Sequence, residues 1–146
     1  MPPIITLTTD FGCRDPYVAQ MKGVILSRCP DARVLDLTHD IAPQDIMEGA
    51  LFLHSALPSF PPETIHIAVV DPHVGTDRRA LIMRVCNQYL VTPDNGLVTL
   101  LAEEKTPFPI VEIVHSRFLG DSISPTFHGR DVFAPAAAAL ASGASM

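Results

Sequence analysis

The sequence predicts an α/β fold in which a mostly parallel sheet is flanked by helices. Three observations carry that reading. Ile65, Ile67, Ala68, Val69 and Val70 form a continuous apolar, largely β-branched run, as a strand buried on both faces of a parallel sheet does. Short strand-like runs alternate with stretches of helical periodicity through the first half of the chain, the signature of β-α units. Each of those runs also ends in an abrupt polar turn carrying an acid, at Asp10, Asp40 and Asp71. Carboxylates are thereby gathered at the carboxyl ends of strands, where open α/β sheets bind their ligands.

In chain order, Ile4 to Thr8 is the first strand. From Tyr17 the apolar positions Val18, Met21, Val24, Ile25 and Leu26 follow helical spacing, with Asp15 as cap and Pro16 in the first turn, until Cys29-Pro30 stops the helix. Arg33 to Leu37 is the next strand. Asp45 to Leu57 supplies the second helix, with Asp45 as N-cap, Glu48 completing a capping box, and Ile46, Leu51, Leu53 and Leu57 as buried candidates. The prolines at 58, 61 and 62 mark the loop into the central strand, and Pro107 and Pro109 mark another. Leu81 to Val85 and Tyr89 to Val91 read as a hairpin at an edge of the sheet, turned by Asn87-Gln88. Pro93-Asp94-Asn95-Gly96 is a strong turn, followed by a short amphipathic helix from Leu97 to Glu103. Ile110 to Val114 is a further strand, and the alanine-rich Val132 to Ala141 is the last helix, with Asp131 as its N-cap.

With 146 residues and 47% hydrophobic content, one core can be buried and a single domain over 1–146 is expected. A net charge of -6, with ten Lys and Arg scattered along the chain, argues against a nucleic-acid surface. Three cysteines without a CxxC pair indicate neither a disulfide framework nor a zinc site. A reducing, cytoplasmic setting is therefore expected, and no stretch is long and apolar enough for a membrane span.

Polar chemistry concentrates in two places. The exit of the central strand carries Asp71, His73, Asp77, Arg78 and Arg79 around Pro72 and Gly75. The stretch Phe127-His128-Gly129-Arg130-Asp131 precedes the last helix and would suit a polar or anionic site. Bland readings exist for both. An Asp before Pro starts ordinary turns, paired arginines are usually solvated, Asp131 can act only as a cap, and a lone histidine more often satisfies a core hydrogen bond.

Five ordered stretches resemble one family. They are Thr9-Asp10-Phe11-Gly12, Asp36-Leu37-Thr38-His39-Asp40-Ile41, Val69-Val70-Asp71-Pro72 with Val74-Gly75-Thr76 and Arg78-Arg79, Pro93-Asp94-Asn95-Gly96-Leu97, and Phe127-His128-Gly129-Arg130-Asp131. The family is that of the S-adenosylmethionine (SAM) hydrolases, or SAM hydroxide adenosyltransferases, related to halogenating enzymes that act on the same substrate. The resemblance implies a Rossmann-like three-layer α/β N-terminal domain, a homo-oligomer of trimeric form, and displacement of methionine from C5′ of SAM by water acting as hydroxide. SAM is the substrate in that scheme, adenosine the product, and no cofactor is implied. By matching motif, Asp71, Arg78 and His128 take the family's catalytic places. Asp10 falls where the ribose hydroxyls bind, and Phe11, Val74, Asn95, Phe127 and Gly129 join Asp71 as substrate-binding candidates. The halogenating relatives carry Tyr at the positions of Asp71 and His128, so both positions follow the hydrolase pattern.

The chemistry of those residues agrees with the resemblance. A carboxylate can orient a water, and cationic donors lower the cost of the developing hydroxide. Water's pKa of about 15.7 makes abstraction by a carboxylate alone implausible, so positioning must carry much of the barrier. Two departures stand out. His73 occupies a position where the family usually has glycine, which strains the loop if positive φ is needed there. The family also continues into a C-terminal β-barrel domain, expected to be absent from this chain, which would leave half of the pocket wall and impaired activity. A non-catalytic adenosine- or SAM-binding module is the alternative. A metal hydrolase built from His39, Asp40, Asp71, His73 and His128 has suitable ligand types but no tight spacing motif.

Overall fold

The computed structural model describes residues 1–104 and 108–146, so the expected loop position Pro107 lies outside the described residues. The central strand β3 (Ile65–Val69) is buried at every position, as its unbroken apolar run requires. It pairs in parallel with β1 (Ile4–Thr9) on one side and β5 (Gln88–Pro93) on the other. Beyond β1 lies β2 (Arg33–Thr38), again parallel. Beyond β5 come β4 (Ala80–Val85) and then β6 (Ile110–Glu112), both antiparallel, giving the order β2-β1-β3-β5-β4-β6. The sheet is thus parallel through its first four strands and mixed overall.

Helices cover both faces, which makes the three-layer arrangement. On one face α1 (Tyr17–Arg28) packs on α4 (Ala134–Ala141), and their buried Met21, Ile25, Ala134 and Ala136 meet Ile5, Leu7, Ile67 and Val69 of the sheet. On the other, α2 (Ile46–Ala56), α3 (Thr99–Glu104) and the turn before α3 bury Leu53, Leu101 and Val98 against Ala68, Val70 and Leu90. Alternate residues of one strand therefore serve opposite cores, the period-two rule of a strand.

Several local expectations are corrected. Helix α1 begins with Pro16 in the cap position and no side-chain cap bond, so Asp15 does not cap it. Its buried stripe is Val18, Met21 and Ile25, which leaves Leu26 44% exposed. Asp45 does cap α2, accepting from Glu48 N at 2.9 Å, but Glu48 reaches back to Ala42 N rather than to the cap residue. Leu51 of α2 faces outward. The hairpin turns at Cys86-Asn87, both at positive φ (54° and 61°) as a two-residue type I′ turn needs. Gln88 is a buried strand residue instead, because its amide donates to the main-chain carbonyls of Leu57 and Phe60. The hairpin is also not at the edge, since β6 covers β4. Strand β6 ends at Glu112 rather than Val114.

The last helix starts earlier than its apolar run. Gly129–Phe133 form a π-helical turn that passes into α4, and Asp131 sits inside it rather than capping it. Pro135 explains the register: with no N–H, it cannot bond the carbonyl of Asp131, which accepts from Gly120 N at 2.8 Å instead. Among the described residues no helix is long and apolar enough to cross a membrane.

One buried histidine belongs to the core. His66 is fully buried, shares a 2.7 Å hydrogen bond between its Nδ1 and Thr6 Oγ1, and packs edge-on against Phe60. Burial pushes its pKa from 6.5 down to about 4. The unfolded imidazole takes up a proton first as pH falls below 6.5, so this contribution is complete above 6.5 and is lost toward pH 4. Urea unfolding should show about 3 kcal/mol less stability at pH 4 than at pH 7 from this residue, and His66→Gln should flatten that part of the profile.

Candidate functional site

The strand order creates the site. From β1 the chain passes through α1 to β2 on one side, then crosses through α2 to β3 on the other side of β1. The exit loops of β1 and β3 therefore diverge, leaving the crevice at which doubly wound sheets bind ligands. A cleft of about 280 Å³ lies there. Asp10 and Phe11 enter it from β1, Asp71 and Val74 from β3, and Phe127, His128 and Gly129 from the segment leading into the π turn. A roomier cleft of about 450 Å³ at the opposite strand ends is lined largely by prolines and apolar groups, with Glu63 already paired with Arg84. It brings no acid and base together, so chemistry rather than size identifies the site.

Arg78 stands behind the cleft wall and joins the two halves of the site. Its Nε and Nη2 both donate to Asp71 Oδ2, at 2.9 and 2.5 Å, and the same Nη2 lies 2.8 Å from His128 Nδ1. The pair is removed from water, with side-chain exposures of 3% for Asp71 and 9% for Arg78. An arginine nitrogen can only donate, so His128 Nδ1 must accept. His128 is then neutral, with its proton on Nε2. Burial first and the Arg78 charge second lower its pKa, opposed by Asp71, Asp131 and a Ser124 main-chain hydrogen bond. Among the described residues, Asp71 Oδ1 is left with a single long contact, 3.3 Å from His73 N. His73 itself is exposed and does not adopt positive φ, so its place in the loop carries no glycine-type strain.

Backbone geometry closes the loops on each other. Gly75 has φ +78° and approaches so closely that a Cβ would stand 2.1 Å from the Pro125 carbonyl oxygen. A Cβ on Gly129 would meet Phe127, Met21 and Phe11 at 3.0 to 3.3 Å, so glycine here leaves the aromatic wall in place. Asp10 is held through Oδ2 by Gln44 N at 2.7 Å, with Gln44 itself at φ 64°.

One expected contact does not match the placement. Asn95 does not line the cleft; its amide is bound to main chain, Nδ2 to Val70 O at 2.7 Å and Oδ1 from Leu97 N at 3.2 Å. The metal set does not converge, and among the described residues no three His, Cys, Asp or Glu could hold an ion. His39 is spent on structure, with Nδ1 2.8 Å from Thr9 Oγ1 and Nε2 3.0 Å from Asp36. Three cleft residues were not among the site candidates read from the sequence: Val69, Thr126 and Tyr17. Tyr17 packs edge-to-face on Phe11 and Phe127, and only its aromatic character at a helix start could have drawn attention to it.

Nitrogen-15 NMR of His128 should show the Nε2–H tautomer at pH 7 and a pKa below 6.5. A doubly protonated ring at pH 7 would contradict the Arg78 contact.

Known proteins place this architecture. The SAM hydroxide adenosyltransferase N-terminal domain profile matches residues 5–146. A (R)-S-adenosyl-L-methionine hydrolase from Salinispora arenicola is 46% identical over 99% of this chain and 55% of its own length. A fluorinase from Nocardia brasiliensis is 29% identical over 97% of this chain and 55% of its own. The crystal structure of an uncharacterized conserved protein from Thermotoga maritima superposes with a TM-score of 0.92 at 41% identity, covering 97% of this chain and 54% of that one. The chain spans about half the length of the curated relatives it matches. The chain belongs to the SAM hydroxide adenosyltransferase family, within which residues 5–146 correspond to the N-terminal domain.

Proposed function

We propose that the cleft binds S-adenosyl-L-methionine and that the protein hydrolyses it to adenosine and L-methionine. The observation that carries this reading is that Asp71 and neutral His128 meet on one cleft and are joined by Arg78 behind its wall, with one carboxylate oxygen held by arginine and the other scarcely engaged. The names of the similar hydrolases support the same substrate. A water held by Asp71 Oδ1 attacks C5′, the C5′–S bond breaks, and its electron pair returns to sulfur to give neutral methionine. The attacking oxygen becomes strongly acidic only as it bonds to carbon, and it then loses its proton to the carboxylate and on to solvent. A carboxylate is an adequate base at that stage although it is a poor one for free water. Arg78 keeps the carboxylate in position throughout, and fixed geometry of this kind supplies much of the rate.

Substrate binding follows from the other cleft residues. Asp10, with Oδ2 oriented by Gln44, is suited to the ribose hydroxyls, and Phe11, Phe127 and Tyr17 offer an apolar wall. No cofactor enters this scheme. The family resemblance further suggests a cytoplasmic homotrimer in which a neighbouring subunit's β-barrel completes the pocket. Tyr17 on the cleft, 45% exposed, and outward-facing Met47 and Leu51 on α2 leave apolar surface for such contacts.

The test is chromatography of SAM incubated with the purified protein at its natural length and assembly. Adenosine and methionine should appear in equal amounts. Asp71→Asn keeps the size and removes the charge, and turnover should fall about 10²- to 10⁴-fold with SAM affinity little changed. Unaltered turnover in that variant would remove Asp71 from the mechanism, and SAM binding without any cleavage by the wild type would make this a binding module.

The cleft presents two carboxylates and no glycine-rich phosphate cradle. Calorimetry should show adenosine binding more tightly than ATP.

A further inference from the structure

The loop carrying Asp71 and Arg78 is gripped at both ends by one turn. At its entrance, Asn95 Nδ2 donates to Val70 O, the carbonyl immediately before Asp71. At its exit, Asp94 accepts from Arg79 Nε and Nη2 at 2.9 and 2.7 Å, and Asp94 N donates to Arg79 O, immediately after Arg78. The ladder between β3 and β5 ends at Ile67 and Val91, so Val70, fully buried, lies three residues past the last pair. A buried carbonyl in that position needs a donor, and the side chain of Asn95 supplies it. The orientation of the amide is unambiguous: a carbonyl only accepts and Leu97 N–H only donates, so Nδ2 must face Val70 and Oδ1 must face Leu97.

We propose that Asn95 is a positioning residue for the reaction, one that holds the 70–71 peptide so that Asp71 meets Arg78 and His128 in register. The proposal rests on the hydrolase reading of the cleft. Asn95 touches neither the cleft nor the substrate; it acts through Asp71. The Arg79–Asp94 pair is exposed, with side chains 63% and 36% accessible, and such pairs contribute little by themselves. The partly buried amide bond is therefore the member of the clamp that matters.

Two variants separate its two hydrogen bonds. Asn95→Asp keeps the acceptor for Leu97 N but replaces the donor to Val70 O with a charged oxygen; Asn95→Leu removes both without adding charge. Both should lower kcat about 10- to 100-fold, the scale of a displacement near 1 Å at the reacting groups, while KM for SAM stays within about twofold because Asp10 and the aromatic wall are untouched. In an Asp71→Asn background neither should cost much more, since residues acting through one group are not additive. A readout independent of turnover is the His128 Nδ1 resonance, which should move in both variants as Arg78 shifts with Asp71.

Wild-type kcat and an unmoved His128 resonance in Asn95→Asp would overturn the proposal. So would an equal fractional loss in the wild-type and Asp71→Asn backgrounds, or activity per folded molecule that is unchanged despite a lower melting temperature. If the wild type releases no adenosine, the hydrolase reading fails, and the His128 resonance still decides whether the clamp positions the triad.

Discussion

A charged pair taken almost wholly out of water governs this structure. Asp71 and Arg78 are seven residues apart on one loop, and their contact replaces nearly all of the hydration that each charge would otherwise have. Isolated burial of either would be costly, since breaking such a pair typically costs about 3 to 5 kcal/mol. Apolar residues in place of a buried ion pair often stabilise a fold at least as well, so the chemistry of the cleft is the better account of these charges. Two donors of one guanidinium converge on one carboxylate oxygen, and the second oxygen faces its task with little competition.

The surroundings serve that geometry. Gly75 lets the Asp71 loop touch the Pro125 backbone, bringing the segment that bears His128 within reach of Arg78. Gly49, where a Cβ would stand 2.7 Å from Leu97 and 3.3 Å from Val70, lets α2 press against the base of the same loop. Pro135 opens the π turn and frees the Asp131 carbonyl to hold Gly120, while the Asp131 carboxylate accepts from Ser124 N. Burial works against the ionised form of Asp131, but bonds from Arg130 and Ser124 outweigh it and lower its pKa. Backbone irregularity, small residues and a buried ion pair thus occur together at this end of the sheet.

Much was legible in the residues themselves. The buried run of β3, the cap at Asp45, the turn at 93–96 and the acids at strand ends are all encoded within a few neighbouring positions, because side-chain periodicity and turn chemistry are local. Asp10, Asp71 and His128 could be singled out for the same reason, each lying in a short polar stretch beside an apolar run, whereas Val74, Phe127 and Gly129 rest on the family resemblance of their motifs.

Pairings across long separations were decided only by the tertiary structure. Which strand lies next to β3 depends on how two helices choose opposite faces of the sheet, and that choice places the loops of β1 and β3 on either side of a crevice. The Arg78–His128 contact spans 50 residues and the Asn95–Val70 bond spans 25, so neither has a trace in local pattern. Gln88, read as a turn residue from its polarity, is a strand residue because the carbonyls of Leu57 and Phe60, beyond the end of α2, satisfy its amide. Asn95, read as a ligand contact from its motif, is bound to main chain because the end of β3 needs a donor there. Local sequence determined which groups are available, and the fold determined which polar atom each of them meets.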